Sequence, residues 1–346
     1  MQFIKPDINI DFIGKKKICF IASGILILIG IISLIFHGGP RYGIDFSGGT
    51  VIQVKFPSPA IIDSMKSGLR SIGIDTPTIQ TFGEKNDNEY LIRIDKSIAG
   101  TEGFSTQIKK ALTASTSLEP EVRRIEIVGP QVGKDLREKA LFAIFYSLLF
   151  IAIYISGRFE FKWILSGVMA GALIGAVYLI SFINVSIPFL ITAALILTLF
   201  LFWVLNLKYA MGAIVALIHD VMITVGIFSL LDKEFSLPII AALLTIIGYS
   251  LNDTIIVFDR IRENLKKYHK KPLDFIINRS VNETLSRTIL TAATTLVAVI
   301  ALFVLGGGII HDFAFAMIVG IVVGTYSSVY IASPILIAWQ DSRQKR

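Results

Sequence analysis

The residues of this sequence that could do chemistry are polar and charged side chains inside long apolar runs. Residues 236–258 read SLPIIAALLTIIGYSLNDTIIVF and contain Asn252, Asp253 and Thr254. A carboxylate inside a membrane span costs about 2.5–3.5 kcal/mol on insertion scales, so it is usually functional. Apolar surroundings favour its protonated form, and we therefore predict Asp253 as a proton carrier. The alternative is a carboxylate near the end of its span that is only hydrogen-bonded to Asn252 or Tyr249.

A second titratable pair lies in the preceding apolar run, residues 210–231. His219 and Asp220 are close to the middle of this run. Two neighbouring runs with titratable residues predict a proton or ion pathway. The candidate residues of this pathway are Asp253, Arg287, Asn252, His219 and Asp220. Adjacent helix positions point about 100° apart, so both side chains need not face the same path. A structural pair that hydrogen-bonds a neighbouring helix is therefore the alternative for His219 and Asp220.

A basic residue, Arg287, begins the next apolar run at a depth similar to that of Asp253. One interpretation is a movable counter-charge, which favours the ionised carboxylate when it is close and the protonated one when it is apart. The other is an anchor whose long side chain reaches the membrane surface. Both interpretations are open at the level of the sequence.

The last apolar run combines small and hydroxyl-bearing residues. Residues 325–328 read TYSS and follow Gly320-xxx-Gly324. Small residues at this spacing are typical of close helix packing in membranes, which we favour over a hydrated path along these hydroxyls.

The composition places these runs in a membrane. Hydrophobic residues make up 53% of the 346 residues and charged residues only 17%, against about 25% charged in a soluble domain. Runs of about 18 or more apolar residues can cross a bilayer. One cysteine, Cys19, excludes an intrachain disulfide and a cysteine metal site, and we expect neither metal nor cofactor. The predicted spans are 18–36, 140–156, 163–182, 187–206, 210–231, 236–258, 288–305 and 313–338.

The distribution of basic residues predicts the orientation. An even number of spans places both termini on one side of the membrane. Basic residues cluster before the first span, in the 259–287 connection and at the end of the chain, so these parts are expected in the cytoplasm. The expected cytoplasmic segments are therefore 1–17, the loop 259–287 and the tail 339–346, and the bundle is 136–338.

The large hydrophilic stretch, residues 37–135, lies on the outer side in this topology. Alternating and helical periodicities predict the order βαββαβ, which is that of a ferredoxin-like split βαβ unit. The predicted fold class is thus a polytopic α-helical membrane protein with an α+β ferredoxin-like outer domain. Predicted strands are 49–56, 77–82, 89–94 and 122–128, and predicted helices are 59–71 and 101–115.

A glycine-rich segment, GIDFSGGT, begins this outer domain at residues 43–50. Its glycines permit a tight turn into a strand, and Asp45 and Ser47 can bond local backbone donors. We do not predict a phosphate loop, because the Lys-Ser/Thr pair is absent and a strand follows where a helix is needed. The motif positions that we single out are Gly43, Asp45, Phe46, Gly48, Gly49 and Thr50.

Two stretches of the bundle resemble each other. Residues 161–182 parallel 207–228, and 185–195 parallel 235–244. A duplication and a chance similarity of apolar helices are both consistent with this pattern. If the similarity is a duplication, only the second copy contains the polar residues His219, Asp220, Asn252 and Asp253.

Five segments together resemble the SecF family, the smaller partner of SecD in the accessory complex of the bacterial protein translocase. These segments follow one another in the family's order over nearly the whole chain. They are GIDFSGGT (43–50), LIHD (217–220), TIIGYSLNDTIIVFDRIREN (245–264), NETLSRT (282–288) and VGTYSSVYIASP (323–334).

The resemblance implies half of a resistance-nodulation-division transporter core in the bacterial inner membrane, with the outer domain in the periplasm. It implies that the complex uses the proton-motive force to help secreted chains across, with Asp253 in the proton pathway. The implied partners are a SecD-like subunit, the SecYEG channel, YajC and the secreted preprotein, with no nucleic acid. One departure is that about 46 residues, roughly 162–207, interrupt the family's pattern of six spans; docking against SecD can differ because of them.

Other classes of function are less consistent with the sequence. An assembly subunit of the translocase that carries no protons is one alternative, and half of a drug or lipid exporter is another. An exporter would have both halves in one chain and a larger outer portion. An enzyme is not expected, since no H-E-x-x-H or GxSxG-type motif occurs.

Overall fold

The computed structural model describes residues 8–75, 77–82, 87–94, 103–181 and 186–344. Four strands form one sheet: β1 (Gly49–Lys55), β2 (Thr78–Phe82), β3 (Glu89–Ile94) and β4 (Glu121–Val128). The α-helices of the described residues are α1 (Lys16–Phe36), α2 (Ile44–Ser47), α3 (Ile62–Arg70), α4 (Phe104–Thr116), α5 (Pro130–Glu160), α6 (Trp163–Ser181), α7 (Ile187–Leu205), α8 (Lys208–Leu230), α9 (Leu237–Lys267), α10 (Leu273–Leu305), α11 (Gly308–Ser327) and α12 (Ser333–Gln344).

Among the described residues, eight helical segments are long and apolar enough to cross a membrane. They are α1, α5 to α10, and a final segment in which α11 continues through a π-helical turn, Ser328–Ala332, into α12. In a bilayer, helices satisfy all backbone hydrogen bonds internally, which is why long apolar runs form them. The predicted fold class, a polytopic helical bundle with a small sheet domain, is confirmed.

Several helices continue beyond the ends of the predicted spans. The 259–287 connection is mostly helical, because α9 continues to Lys267 and α10 begins at Leu273. Ion pairs of Arg260 with Glu263 (2.9 Å) and of Arg279 with Glu283 (2.9 Å) support these polar turns. Residues 339–344, beyond the predicted end of the last span, likewise belong to α12. Apolar length marks where a span ends, whereas the helix itself continues beyond it.

The described residues within 49–128 form a four-stranded antiparallel sheet with the order β2-β3-β1-β4 and two helices. With α3 after β1 and α4 after β3, this is the ferredoxin-like arrangement. The predicted alternation of β3 is confirmed, since Tyr90, Ile92 and Ile94 are buried. The sequence places Ile61, Met65 and Leu69 on one face of the predicted helix 59–71. Met65 and Leu69 are buried in α3, whereas Ile61 is 71% exposed. Ile61 precedes the first turn of α3, so it does not share the apolar face of the helix.

Glycines bring the helices that carry the polar residues close together. Gly30 of α1 and Gly226 of α8 face each other, and a Cβ on either one would lie 2.8 Å from the other's Cα. A Cβ on Gly324 of α11 would lie 2.8 Å from the Cβ of Ser250 in α9. These contacts agree with the packing role predicted for the small residues of the last span, and they leave no space for larger side chains.

The hairpin α6–α7 occupies the interruption in the family pattern. The end of α5 lies beside the start of α8 despite the intervening residues, because Glu160 Oε1 accepts a hydrogen bond from Tyr209 N at 2.9 Å. Phe159 also stacks on Tyr209, with ring centroids 5.2 Å apart. The contact between α5 and α8 therefore bypasses the hairpin, which packs on the side of the bundle.

Candidate functional site: two buried carboxylates

Asp220 is a fully buried carboxylate at the centre of a hydrogen-bond network. Its Oδ1 lies 2.9 Å from Nδ1 of His219, and its Oδ2 accepts hydrogen bonds from Ser250 Oγ (2.6 Å) and Ser327 Oγ (2.9 Å). The serines belong to α9 and α11, so one side chain ties three helices together. This arrangement favours the structural alternative for His219 and Asp220, and it shows that the two neighbours contact each other.

The network continues from His219 towards α1. The imidazole stacks on Tyr326 of α11, with ring centroids 6.1 Å apart. Tyr326 donates its hydroxyl to the carbonyl of Cys19 (2.8 Å) and lies 3.0 Å from Ser23 Oγ. His219 Nε2 is buried and has no hydrogen-bond partner among the described residues. A chain of polar groups thus connects α1, α8, α9 and α11 inside the bundle.

Asp253 on α9 is equally buried, with 1% of its surface exposed, but it is isolated. Neither carboxylate oxygen has a hydrogen-bond partner among the described residues. The alternative in which Asp253 is bonded to Asn252 or Tyr249 is therefore wrong. The Tyr249 hydroxyl is itself buried with no hydrogen-bond partner in the part of the chain that the structure describes, and Asn252 is exposed. Buried polar groups are normally hydrogen-bonded, so this carboxylate requires a chemical explanation.

Arg287 on α10 does not form an ion pair with Asp253. It lies within range of an electrostatic interaction with the carboxylate, but its residue is exposed at the surface of the chain. The helix register explains the gap. Asn264 of α9 hydrogen-bonds Ser280 of α10 at 3.0 Å, and from this pair Asp253 and Arg287 lie in the same direction along the two helices. At 1.5 Å per residue, Arg287 and Asp253 differ in height along the bundle by about one turn, roughly 6 Å. The structure brings the two residues to neighbouring helices without joining them.

The polar residues next to Asp253 divide between the inside and the outside of the bundle. Thr254 is buried, and its hydroxyl lies 2.9 Å from Ser328 Oγ in the π-helical turn. Asn252 is exposed, on the same outward face of α9 as Thr245 and Gly248. A Cβ on Gly248 would meet nothing within 4 Å. The outward face of α9 is thus small and polar where a lipid-facing helix would be apolar.

The GIDFSGGT motif forms α2 and the entry into β1. Gly48 (φ +73°) and Gly49 (φ +127°) adopt the backbone region that favours glycine, as the predicted tight turn requires. Phe46 and Thr50 are buried, and Ser47 Oγ donates to the carbonyl of Gly43 at 3.0 Å. The prediction that Asp45 and Ser47 bond local backbone donors is wrong. Ser47 donates to a local carbonyl instead, and Asp45 Oδ2 accepts from Leu237 N (2.9 Å), which lies at the start of α9 rather than nearby in the sequence.

Sequence reasoning did not identify Ser250 as a partner of Asp220. Serines in apolar helices also pack or bond their own backbone, so Ser250 carries no distinguishing signal in one sequence. The π-helical turn was also missed, although such turns often mark functional sites. It begins at Ser328, whose carbonyl accepts the Ser333 hydroxyl at 2.8 Å.

Comparisons with known proteins agree with the motifs. Residues 107–187 and 172–342 match the family described as protein export membrane protein SecD/SecF, C-terminal, and residues 33–60 match the SecD/SecF GG motif. The chain is 41% identical to the protein translocase subunit SecF of Calditerrivibrio nitroreducens, over 100% of this chain and 99% of that protein. It is also 41% identical to SecF of Desulfurispirillum indicum, over 96% and 92% of the two chains.

Solved structures give the same result. SecDF from Thermus thermophilus, a translocon-associated membrane protein, matches with a TM-score of 0.76 and 32% identity over 98% of this chain. SecDF in a super-membrane-facing form matches with a TM-score of 0.64. This chain spans 40% of the length of each SecDF chain. From the matched motifs, the whole-length SecF relatives and the shared fold, the chain belongs to the SecD/SecF family of protein-export membrane proteins.

Proposed function

We propose that this chain is the SecF-type subunit of a complex that uses the proton-motive force to assist protein translocation across the bacterial cytoplasmic membrane. Asp253 is the proton carrier in this proposal. The single observation that carries it is a carboxylate with 1% exposure and no hydrogen-bond partner among the described residues, inside a membrane-length helix.

The chemistry of an isolated buried carboxylate supports proton exchange. An ion without partners in an apolar interior costs several kcal/mol, so the group gives up its charge or gains a partner. Arg287 is about one turn away along the neighbouring helix and can supply that partner after a modest movement. One arrangement then favours the protonated carboxyl and the other the ionised one, and alternation between them moves a proton.

The exposed polar residues support a second subunit beside α9. Asn252 and Arg287 belong to membrane helices, yet they are exposed on this chain. Polar side chains in membrane segments normally face protein or a water-filled cavity. We assign this face to a SecD-like subunit, because this chain covers 40% of the length of the SecDF chain and the rest of SecDF has no counterpart in it. The SecYEG channel, YajC and a secreted preprotein complete the proposed assembly.

The contacts at the two ends of the bundle support the proposed orientation. At one end, basic residues gather where the starts of α1 and α10 and the ends of α5 and α9 meet, with Lys16 bound to Asp274 (3.0 Å) and Arg158 to Asp259 (2.6 Å). The sheet domain lies at the other end, where Arg93 contacts Glu234 (3.1 Å). The positive-inside rule assigns the basic end, with both termini, to the cytoplasm and the sheet domain to the periplasm.

The proposal is tested with membrane vesicles that contain the translocase, this chain and its SecD-like partner. A preprotein is halted after the ATP-driven step, and its completion is measured with and without a pH gradient. We expect the gradient to accelerate completion, a protonophore to abolish the acceleration, and Asp253→Asn to remove it. Full acceleration in Asp253→Asn would overturn the proton role and leave the assembly subunit as the function. A gradient-dependent export of small molecules without preprotein would instead indicate an exporter.

A further inference from the structure

The proton exchange proposed above does not involve the GIDFSGGT motif, yet this motif contacts the helix that carries Asp253. The first N–H groups of a helix have no partner inside the helix. The N-cap residue of α9, Ser236, makes no side-chain capping bond. Asp45 supplies that bond instead, because its Oδ2 accepts from Leu237 N at 2.9 Å across 192 positions of sequence. The cap of α9 therefore comes from the outer domain.

Backbone hydrogen bonds reinforce this contact. Gly43 N donates to the carbonyl of Phe235 at 2.7 Å, and Phe235 N donates to the carbonyl of Arg41 at 2.7 Å. A Cβ on Gly43 would lie 3.1 Å from the Phe235 carbonyl oxygen, so the two segments are in close contact. Arg41 also pairs with Asp232 at 2.5 Å. We call residues 41–48 together with 232–237 the motif joint.

The sheet holds the same joint from a second direction. Arg93 of β3 pairs with Glu234 at 3.1 Å and donates to the carbonyl of Tyr42 at 2.9 Å. The same guanidinium donates to Ser47 Oγ at 2.8 Å. One arginine thus binds both segments of the joint to the middle of the sheet.

The start of α5 closes the third side. A Cβ on Gly48 would lie 2.8 Å from the Cα of Pro130, and one on Gly133 would lie 2.9 Å from Gly48 N. The short helix α2 is therefore packed without free space, and β1 begins directly after it at Gly49. A rotation of the sheet must move Asp45, and with it the start of α9.

Helix α9 can carry such a movement to the proton site. It is one uninterrupted helix of 31 residues, and Asp253 lies about 24 Å from Leu237 along its axis. We propose that the motif joint is a rigid coupling that transmits movement between the outer domain and α9, with Asp45 as the positioning residue. The proposal rests on the proton role assigned to Asp253.

The test uses the vesicle assay above with Cys19 replaced by Ser in every variant. Asp45→Ala removes the acceptor and is expected to lower gradient-driven completion about fivefold, the scale of a lost N-cap. Asp45→Asn keeps an acceptor oxygen and is expected to retain most of the gradient-driven completion. The control is co-purification with the SecD-like partner, which a joint defect leaves unchanged. Full activity of Asp45→Ala would overturn the proposal.

An engineered disulfide across the motif joint tests whether the joint is rigid or acts as a hinge. A Cβ on Gly43 would lie 3.5 Å from that of Ser236, within the range of disulfide-bonded pairs. The φ of Gly43 is −67°, which cysteine also adopts. Because the new Cβ at position 43 lies 3.1 Å from the Phe235 carbonyl oxygen, the oxidised Gly43→Cys, Ser236→Cys variant is compared with its own reduced form. Oxidation is expected to leave its activity unchanged and to restore completion in the Asp45→Ala background. Reduction of the same sample should remove the rescue.

Two outcomes of the disulfide experiment contradict the coupling. Loss of activity on oxidation, reversed by reduction, would show that the joint opens during the cycle. Absence of rescue in the oxidised Asp45→Ala background would show that a link between the two segments of the motif joint does not replace the function of Asp45. Asp253→Asn in the same assay distinguishes the two proposals: if it removes the gradient effect while Asp45→Ala does not, only the coupling fails.

Discussion

Asp220 and Asp253 are two carboxylates on adjacent helices, and both are almost completely buried. Asp220 contacts His219 and accepts hydrogen bonds from Ser250 and Ser327, whereas Asp253 has no hydrogen-bond partner among the described residues. Burial alone therefore does not distinguish a structural carboxylate from a proton carrier. The difference lies in whether the surrounding side chains have already satisfied the oxygens.

The largest expected effect comes from removing titration at each carboxylate in turn. Asp253→Asn keeps the side-chain shape and should lower gradient-driven translocation more than tenfold. Proton transfer by a positioned side chain typically contributes about 10²-fold or more to a rate. Asp220→Asn keeps an oxygen that accepts from the two serines and should retain most of the activity. Vesicle translocation measures both. Equal loss in both variants would show that the carboxylates act as one pathway.

Stability should respond in the opposite order. Asp220→Ala removes the acceptor of two serine hydroxyls and the partner of His219, so we expect it to destabilise the bundle by about 1–3 kcal/mol. Asp253→Ala removes no hydrogen bond and should cost less. Thermal unfolding of the complex in detergent compares the two. A larger loss for Asp253→Ala would contradict the structural role of Asp220.

Arg287 should matter only through Asp253. Arg287→Gln is expected to lower gradient-driven translocation several-fold, since the ionised carboxylate then lacks a counter-charge. In an Asp253→Asn background the same change should have no further effect, which is the signature of coupled residues in a double-mutant cycle. Arg279→Gln, on the same helix and paired with Glu283, is the matched control. Additive effects would support the membrane-surface anchor.

The smallest effect is expected when Asp220 loses its donors but remains a carboxylate. Ser250→Ala and Ser327→Ala should each destabilise the bundle by about 0.6 kcal/mol, the mean for such bonds in membranes. Together they make Asp220 resemble Asp253 more closely. A new proton-exchanging group in the double variant would sharpen the comparison, because it would show that the serines hold Asp220 in its structural role. No change in proton exchange would mean that His219 alone suffices.

The sequence predicted the elements and the residues that differ most from their surroundings. The alternation of Tyr90, Ile92 and Ile94 indicated β3 because side chains of a strand point to opposite faces. Asp253 stood out because few carboxylates occur in an apolar run. Both signals are local, and both identify a residue without identifying its neighbours.

The contacts themselves depend on non-local packing and could not be predicted. Ser250 faces Asp220 only because of how α8 and α9 are rotated against each other. Asp45 binds the start of a helix 192 positions away, where the sequence indicated a local turn. The possible pairing of Arg287 with Asp253 was suggested by their similar depth and by the family pattern, and neither says on which side of α10 the arginine lies.

The most direct measurement of the central claim is infrared difference spectroscopy of the reconstituted complex as the pH is changed. The protonated carboxyl group has its own C=O band, which disappears when the group ionises. We expect one pH-dependent carboxyl band that is lost in Asp253→Asn and retained in Asp220→Asn. A band that survives in Asp253→Asn and is lost in Asp220→Asn would contradict the assignment of Asp253 as the carboxyl group that exchanges protons.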